Sequence, residues 1–285
     1  CYFENNIASI GGAVFYQKIA IFIDSLTIFK FNKALLYGDN LYSFPFSLCF
    51  LTLNRCEEAV PYIKNFRSGA SLNYLYVKLL DENGNMIIKD ESNPIVSMKL
   101  VVLNSSSSGN DSIYTMNYTQ KNDLQMNGEG TFVVDNLLLI GKQETDIKIQ
   151  FSSPQIMYNE SLTGFKVIRN YSISLFIHFR KCEVGEYYQE ITSTCFLCLE
   201  GTYSYNPLVE GCNDCPPGLN CSGGAETIVF PNFWRSNRFS EKIVYCSMNP
   251  VNCLGGKESK DNLCLNGHIG AKCESCDLSG RFWNS

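Results

Sequence analysis

The chain has 285 residues, a formal net charge of −5 and a pI near 5.2. It therefore carries no basic field with which to hold nucleic acid. No apolar run reaches the roughly 18–20 residues a bilayer-spanning helix needs; the nearest, "IAIFIDSLTIF" over 19–29, is interrupted by Asp24. The sequence has no initiator Met and no basic-then-apolar leader, so a longer parent chain is expected.

The first 56 residues repeat themselves. Phe3-x-x-Asn6-x-Ala8 lines up with Phe29-x-x-Asn32-x-Ala34, and Gly12 falls on Gly38, a period of 26 residues. That period suits one coil of a solenoid per repeat, and the intervening runs "AVFYQKIAIFI" and "LTIFKF" are short and β-rich. Asn6 and Asn32 are expected at left-handed corners with their amides stacked from coil to coil, and Gly12 and Gly38 at positive φ in the next bend. One coil cannot bury its own inner face, and only two are visible, so further coils are expected upstream. The pattern F-x-x-N-x-A-x-x-G-G resembles the repeat of polymorphic outer-membrane-type proteins, and this resemblance implies a right-handed parallel β-helix. "LYSFPFSLCFLTLNRC", with Pro45 and a Cys49–Cys56 loop, is expected to cap its last edge.

Over 57–181 the period becomes two. "DIKIQF" sets Ile147, Ile149 and Phe151 against Lys148 and Gln150, and "YSISLFIHF" sets Tyr171, Ile173, Leu175, Ile177 and Phe179 against Ser172, Ser174 and His178. Further strands are expected in "LNYLYVKLL", "SMKLVVL" and "TFVVDNLLLI", separated by "DENGN" and "NSSSSGND". Short alternating strands at this spacing predict a two-sheet β-sandwich, which resembles the immunoglobulin-like modules of adhesins. Asp81-x-Asn83-x-Asn85 begins like a calcium loop, but the glycine is Gly84 and Ser92 stands where the bidentate Glu belongs. A hairpin turn on Asn83-Gly84 is the expected reading. His178 shares its face with serines and reads as a solvent-facing strand residue.

Residues 182–285 are dense in cysteine, with eleven of the chain's 14 between Cys182 and Cys276. Such density, with many Gly and turn residues, is how an oxidising compartment staples a segment with little core. Six sequons agree with a secretory route and are N-glycosylation candidates: Asn104, Asn110, Asn117, Asn159, Asn170 and Asn220. The pairs Cys195/Cys198 and Cys212/Cys215, 13 residues apart, also fit a four-cysteine zinc ribbon, which leaves Cys182 and Cys221 unexplained. The Gly-aromatic turns "GEYY", "GTYSYN" and "CPPGLNCSGG" around them resemble ephrin-receptor-like and tumour-necrosis-factor-receptor-like repeats. Under that resemblance Cys182–Cys195, Cys198–Cys212 and Cys215–Cys221 is one connectivity of the fifteen six cysteines allow.

"CLNGHIGAKCESC" resembles the close of EGF-like and laminin-type EGF modules, with His268 inside its loop. Cys246, Cys253, Cys264, Cys273 and Cys276 make an odd number, so one partner is expected outside the chain, as for Cys1. The expected organisation is all-β: 1–56 the last coils and cap of a parallel β-helix, 57–181 an Ig-like sandwich, 182–230 a receptor-like cysteine-rich module, and 231–285 an incomplete EGF-like module. The order, with "FRKCEVGEYY", "FWRSN" and "GHIGAKCESCDLSGRFW", is similar to large surface proteins of ciliated protists, in which such a stretch stands outside a membrane region. This implies an ectodomain.

Parallel β-helices include polysaccharide-acting enzymes, whose sites need paired acids or Arg with Ca²⁺ on one face. Glu4, Asp24, Asp39, Lys18, Lys30 and Lys33 are scattered, and neither histidine belongs to a legible Ser-His-Asp set. No catalytic site, metal site or cofactor is expected. The reading is a non-enzymatic structural or adhesive segment on the outer side of the plasma membrane or in a secreted surface structure. Its partners are other protein chains, and it meets membrane only through a region outside this chain. A ligand-binding receptor ectodomain is the first alternative, and the non-catalytic part of a β-helix enzyme the second.

Overall fold

The computed structural model describes residues 1–16, 21–43, 45–52, 55–57, 61–88, 95–102, 115–117, 123–156, 158–159, 168–169 and 171–278. The protein is all-β, with 48% of the described residues in strands and 4% in helix. It divides into two compact units, Cys1–Arg180 and Lys181–Ser285.

The 26-residue repeat becomes two stacked windings. Tyr2–Glu4 pairs in parallel with Ile28–Lys30, Ile7–Ile10 with Lys33–Tyr37, and Val14–Phe15 with Leu41–Tyr42. Like residues stack: the Phe3 and Phe29 rings lie 5.3 Å apart and nearly parallel, and Phe15 covers Tyr42 at 5.0 Å. The amide ladder also forms, with Asn6 Nδ2 donating to Asn32 Oδ1 at 2.9 Å and Asn32 Nδ2 to the Phe3 carbonyl at 3.0 Å. The left-handed corner, however, is one residue earlier than expected, at Asn5 (φ 54°) and Phe31 (φ 53°).

The second bend needs a similar correction. Gly11 (φ 62°), not Gly12, is the left-handed counterpart of Gly38 (φ 75°). The lower winding holds one extra residue: Ala8 pairs with Ala34, but Ile10 pairs with Tyr37, so the offset grows by one after this bulge. Gly12 is needed for a different reason. A Cβ there would lie 2.2 Å from the Asp39 carbonyl oxygen and 2.8 Å from the Lys33 backbone.

The rest of the first unit folds around one core. A four-stranded sheet runs in the order Thr131–Val134, Leu75–Asp81, Pro45–Thr52, Arg55–Glu57. A five-stranded sheet runs Asp123–Gln125, Ile95–Val102, Thr145–Ser152, Ser172–Phe179, Tyr62–Phe66, antiparallel except for its last, parallel pair. A three-stranded sheet adds Ala70–Leu72, Leu137–Ile140 and Thr115–Asn117. Pro45–Thr52, expected to cap the windings, is therefore an interior strand here. Pro45 sits at a register shift opposite Asp81, where its missing N–H is tolerated.

The period-two reading explains the core. Ile147, Ile149, Phe151, Leu175, Ile177 and Phe179 all point inward and are at most 1% exposed. They meet Leu48, Phe50, Val77, Leu79, Phe132 and Val134 of the four-stranded sheet in one cluster. Phe50 and Phe151 cross edge-to-face at 5.5 Å, and each such fully buried side chain contributes about 1.5–3 kcal/mol.

The second unit has little of this. Its strands come as isolated two-stranded hairpins, beginning with Glu186–Gln189 against Thr194–Leu197. Its apolar core is Tyr203, Leu219, Cys221, Val229 and Leu263, beside a cluster of four half-cystines. That core runs across residue 230, and Val229 bridges to Gly256.

Candidate functional site

Disulfides define the second unit. The structure joins Cys182–Cys195, Cys198–Cys212, Cys215–Cys221, Cys246–Cys253 and Cys264–Cys273, with Cα separations of 5.4–6.5 Å. A sixth pair, Cys49–Cys56, closes the hairpin at the edge of the four-stranded sheet. The four cysteines of the alternative zinc ribbon are thus distributed over three different bridges. Among the described residues, one group of three metal-ligand types lies within 4.8 Å, namely Cys182, Glu186 and Cys195. Its two sulfurs are bonded to each other, so no thiolate is offered, and the buried Glu186 carboxylate accepts the Glu183 N–H at 2.9 Å. Cys276, a disulfide candidate by sequence, is exposed and has no disulfide partner within this chain, like Cys1.

Arg235 holds this unit together in a way the sequence did not signal. It is fully buried on the hairpin Phe233–Arg235/Ile243–Tyr245. Nε donates to the Glu258 carbonyl at 2.8 Å and Nη1 to Thr227 Oγ1 at 2.8 Å, while Nη2 bonds the Lys257 carbonyl. Burial pulls its pKa below the usual guanidinium range. The guanidinium is thus satisfied by carbonyls and a hydroxyl, and it ties 257–258 to the strand Thr227–Val229.

In the first unit the strand register builds a polar cluster on the outer face of the five-stranded sheet. Asp146 lies directly across from His178. Its Oδ1 is 3.0 Å from His178 Nδ1 and accepts the Tyr62 hydroxyl at 3.0 Å, while His178 Nε2 is 4.0 Å from Glu144 Oε1. The bond to Asp146 raises the Tyr62 phenol above 10.0, because a phenolate would lose that donor and face the carboxylate; burial adds to this. His178 is therefore a half-buried residue of the outer strand face that shares a hydrogen bond with Asp146. The nearer of the two serines on its face, Ser174, is four residues along the strand, about 13 Å away at the usual rise. That is beyond the reach of a nucleophile–base hydrogen bond.

A shallow cleft of about 450 Å³ lies where the lower winding meets the hairpin after Leu75–Asp81, lined by Leu36, Asp39, Asn40, Asn83, Asn85 and Ile88 among others. Asp81 beneath it is 1% exposed. Its Oδ1 accepts the N–H groups of Asn83 and Asn85 at 2.9 and 2.8 Å, and its Oδ2 accepts Ser43 N–H and Asn85 Nδ2 at 3.2 and 3.0 Å. Four donors consume this carboxylate, so it caps a turn and does not present itself to a cation. The turn closes with Gly84 N–H on the Asp81 carbonyl, Gly84 taking φ 79°. It is thus a three-residue loop ending in a left-handed glycine.

Among the scattered charges of the windings, Asp24 accepts Thr27 Oγ1 at 2.6 Å, which lowers its pKa, and Asp39 Oδ1 accepts Ala34 N–H. Lys30 lies over the Tyr2 ring at 5.8 Å; Lys18 and Ser92 lie outside the described residues. So do the sequons Asn104, Asn110 and Asn170, whereas Asn117 and Asn159 fall in short strands and Asn220 is exposed. No helix among the described residues is long and apolar enough to cross a membrane.

The chain matches no protein-family model and no curated protein.

Proposed function

We propose that this chain is a non-enzymatic extracellular segment of a larger cell-surface protein, with a structural or adhesive task. The observation that carries this reading is the set of six disulfides, five of them closing loops in a unit whose apolar core is five residues. A unit so poor in core depends on its bridges, and such bridges persist in an oxidising compartment. In this reading the parallel windings are the end of a β-helix, the facing sheets an Ig-like module, and the hairpins receptor-like and EGF-like cysteine-rich modules. The order, as in ciliate-type surface proteins, makes the chain a run of rigid ectodomain pieces whose partners are other protein chains.

One observation favours the receptor alternative. On the first hairpin of the second unit, Tyr187 and Phe196 stack at 5.5 Å, and Phe196, Leu197 and Leu199 are 38, 53 and 76% exposed. Exposed apolar side chains gathered on a small module suit ligand contact.

The test is to label intact and permeabilised cells with antibody to the first unit, then cross-link the surface protein and map the links. Labelling of intact cells with links spread along the chain supports the structural reading. Links gathered on Tyr187, Phe196 and Leu199 favour the receptor, and labelling only after permeabilisation overturns both.

A further inference from the structure

We propose that Asn220 is an N-glycan acceptor whose occupancy is set by closure of the Cys215–Cys221 disulfide. The inference rests on the extracellular reading above and adds to it a modification site and an order of events.

Asn220 lies in the strand Leu219–Cys221, paired with Thr227–Val229. Along that strand Leu219 and Cys221 point into the small core and Asn220 points out to solvent. Its cross-strand partner is Ile228, half-buried on the same outer face. A first sugar attached to Asn220 would therefore lie over an apolar side chain on an open hairpin surface. The sequon's hydroxyl residue, Ser222, is exposed as well.

The sequon is nevertheless closed to an enzyme once the unit has folded. Its middle residue is Cys221, joined to Cys215 only six positions away. The Cys221 carbonyl accepts the Gly201 N–H at 2.9 Å, and the Ser222 N–H donates to the Glu226 carbonyl at 3.3 Å. Backbone that is already hydrogen-bonded on both sides cannot be taken up as a free extended acceptor without opening the hairpin. Transfer and bridge formation therefore compete for the same short segment while the chain is still unfolded. In the transfer, the Asn220 amide nitrogen bonds to the anomeric carbon of a lipid-diphosphate-linked oligosaccharide. The bond from that carbon to the diphosphate oxygen breaks, and the amide proton leaves with the lipid diphosphate. Closing Cys215–Cys221 first removes the acceptor; glycan attached first stays on the outer face and leaves the bridge free to close.

The test expresses the full chain in a eukaryotic secretory host and reads Asn220 by glycopeptide mass spectrometry after denaturation. Wild type is compared with Cys215→Ser and with the double variant Cys215→Ser/Cys221→Ser, which keeps the sequon. Because transfer acts on unfolded chain, a variant that misfolds still reports. The expected result is a mixture of modified and unmodified Asn220 in the wild type, with loss of the unmodified peptide in both variants. Asn220 bare in all three chains while another sequon carries sugar overturns the acceptor assignment alone. Equal occupancy in all three overturns the competition. No sugar at any sequon, with free thiols in the second unit, overturns the extracellular reading together with this one.

Discussion

Arg235→Met keeps the aliphatic stem of a fully buried side chain and removes its guanidinium. In the wild type that group bonds Thr227 Oγ1 and the Glu258 carbonyl, both at 2.8 Å, and also the Lys257 carbonyl. The substitution removes the charged donor from the two carbonyls, at about 1.5–3 kcal/mol for each such bond. Thr227 Oγ1 keeps its other partner, the Tyr205 hydroxyl at 2.6 Å, so its loss is small. Against this, the variant no longer desolvates a charge, a gain that offsets part of the total. The net expectation is about 3 kcal/mol of destabilisation, roughly a hundredfold in the unfolding equilibrium. The assay is urea unfolding with disulfides intact, followed through Trp234, whose Nε1 donates to the Lys260 carbonyl close by at 3.2 Å. Arg235→Lys keeps a charge but cannot span the same acceptors, and should fall between the two. If Arg235→Met unfolds at the wild-type midpoint with the wild-type slope, the guanidinium is not what ties 257–258 to Thr227.

Reduction should separate the two units: the second holds five bridges over a core of five residues, whereas the first has one bridge over a large core. The bridges span 6 to 14 positions and contribute on the order of 2–3 kcal/mol each, so hydrogen exchange after reduction should rise throughout 182–278 while the strands Thr145–Ser152 and Ser172–Phe179 stay protected. Gly12→Ala places a Cβ 2.2 Å from the Asp39 carbonyl, and should cost about 1–3 kcal/mol by overpacking, visible as faster exchange in 28–42. Gly84→Ala meets no atom within 4 Å and should be affected only through its positive φ, by about 1 kcal/mol. Burial lowers the pKa of Lys78, with Glu129 acting weakly in the opposite direction. The folded chain therefore binds fewer protons than the unfolded one between that lowered value and 10.5, and stability rises with pH across the window. Lys78→Met should abolish the rise, measured by urea midpoints below pH 10.0, since Tyr16 and Tyr203 titrate late in the fold and act oppositely above it.

Periodicity made the strands legible because burial alternates with the pleat: Ile147, Ile149 and Phe151 could be set against Lys148 and Gln150 without knowing their neighbours. The Phe3/Phe29 stack and the Asn6/Asn32 ladder were legible for a related reason, since like residues one period apart stack on each other. What depends on register was not. The single extra residue between Ala34 and Tyr37 moves the left-handed glycine from the expected Gly12 to Gly11, and no propensity marks where a bulge will fall. Pro45 read as part of a cap, yet it occupies a shifted position in an interior strand. The His178–Asp146–Tyr62 cluster comes from three strands whose pairing only the fold determines. Arg235 left no sequence signal, because its acceptors are mostly backbone carbonyls, which every residue carries.

The extracellular, bridge-dependent reading is tested most directly by non-reducing peptide mapping of the protein taken from its native source. Peptides linked as Cys49–Cys56, Cys182–Cys195, Cys198–Cys212, Cys215–Cys221, Cys246–Cys253 and Cys264–Cys273 are the expected result. Free thiols at Cys195, Cys198, Cys212 and Cys215, released together with zinc on denaturation, would contradict it.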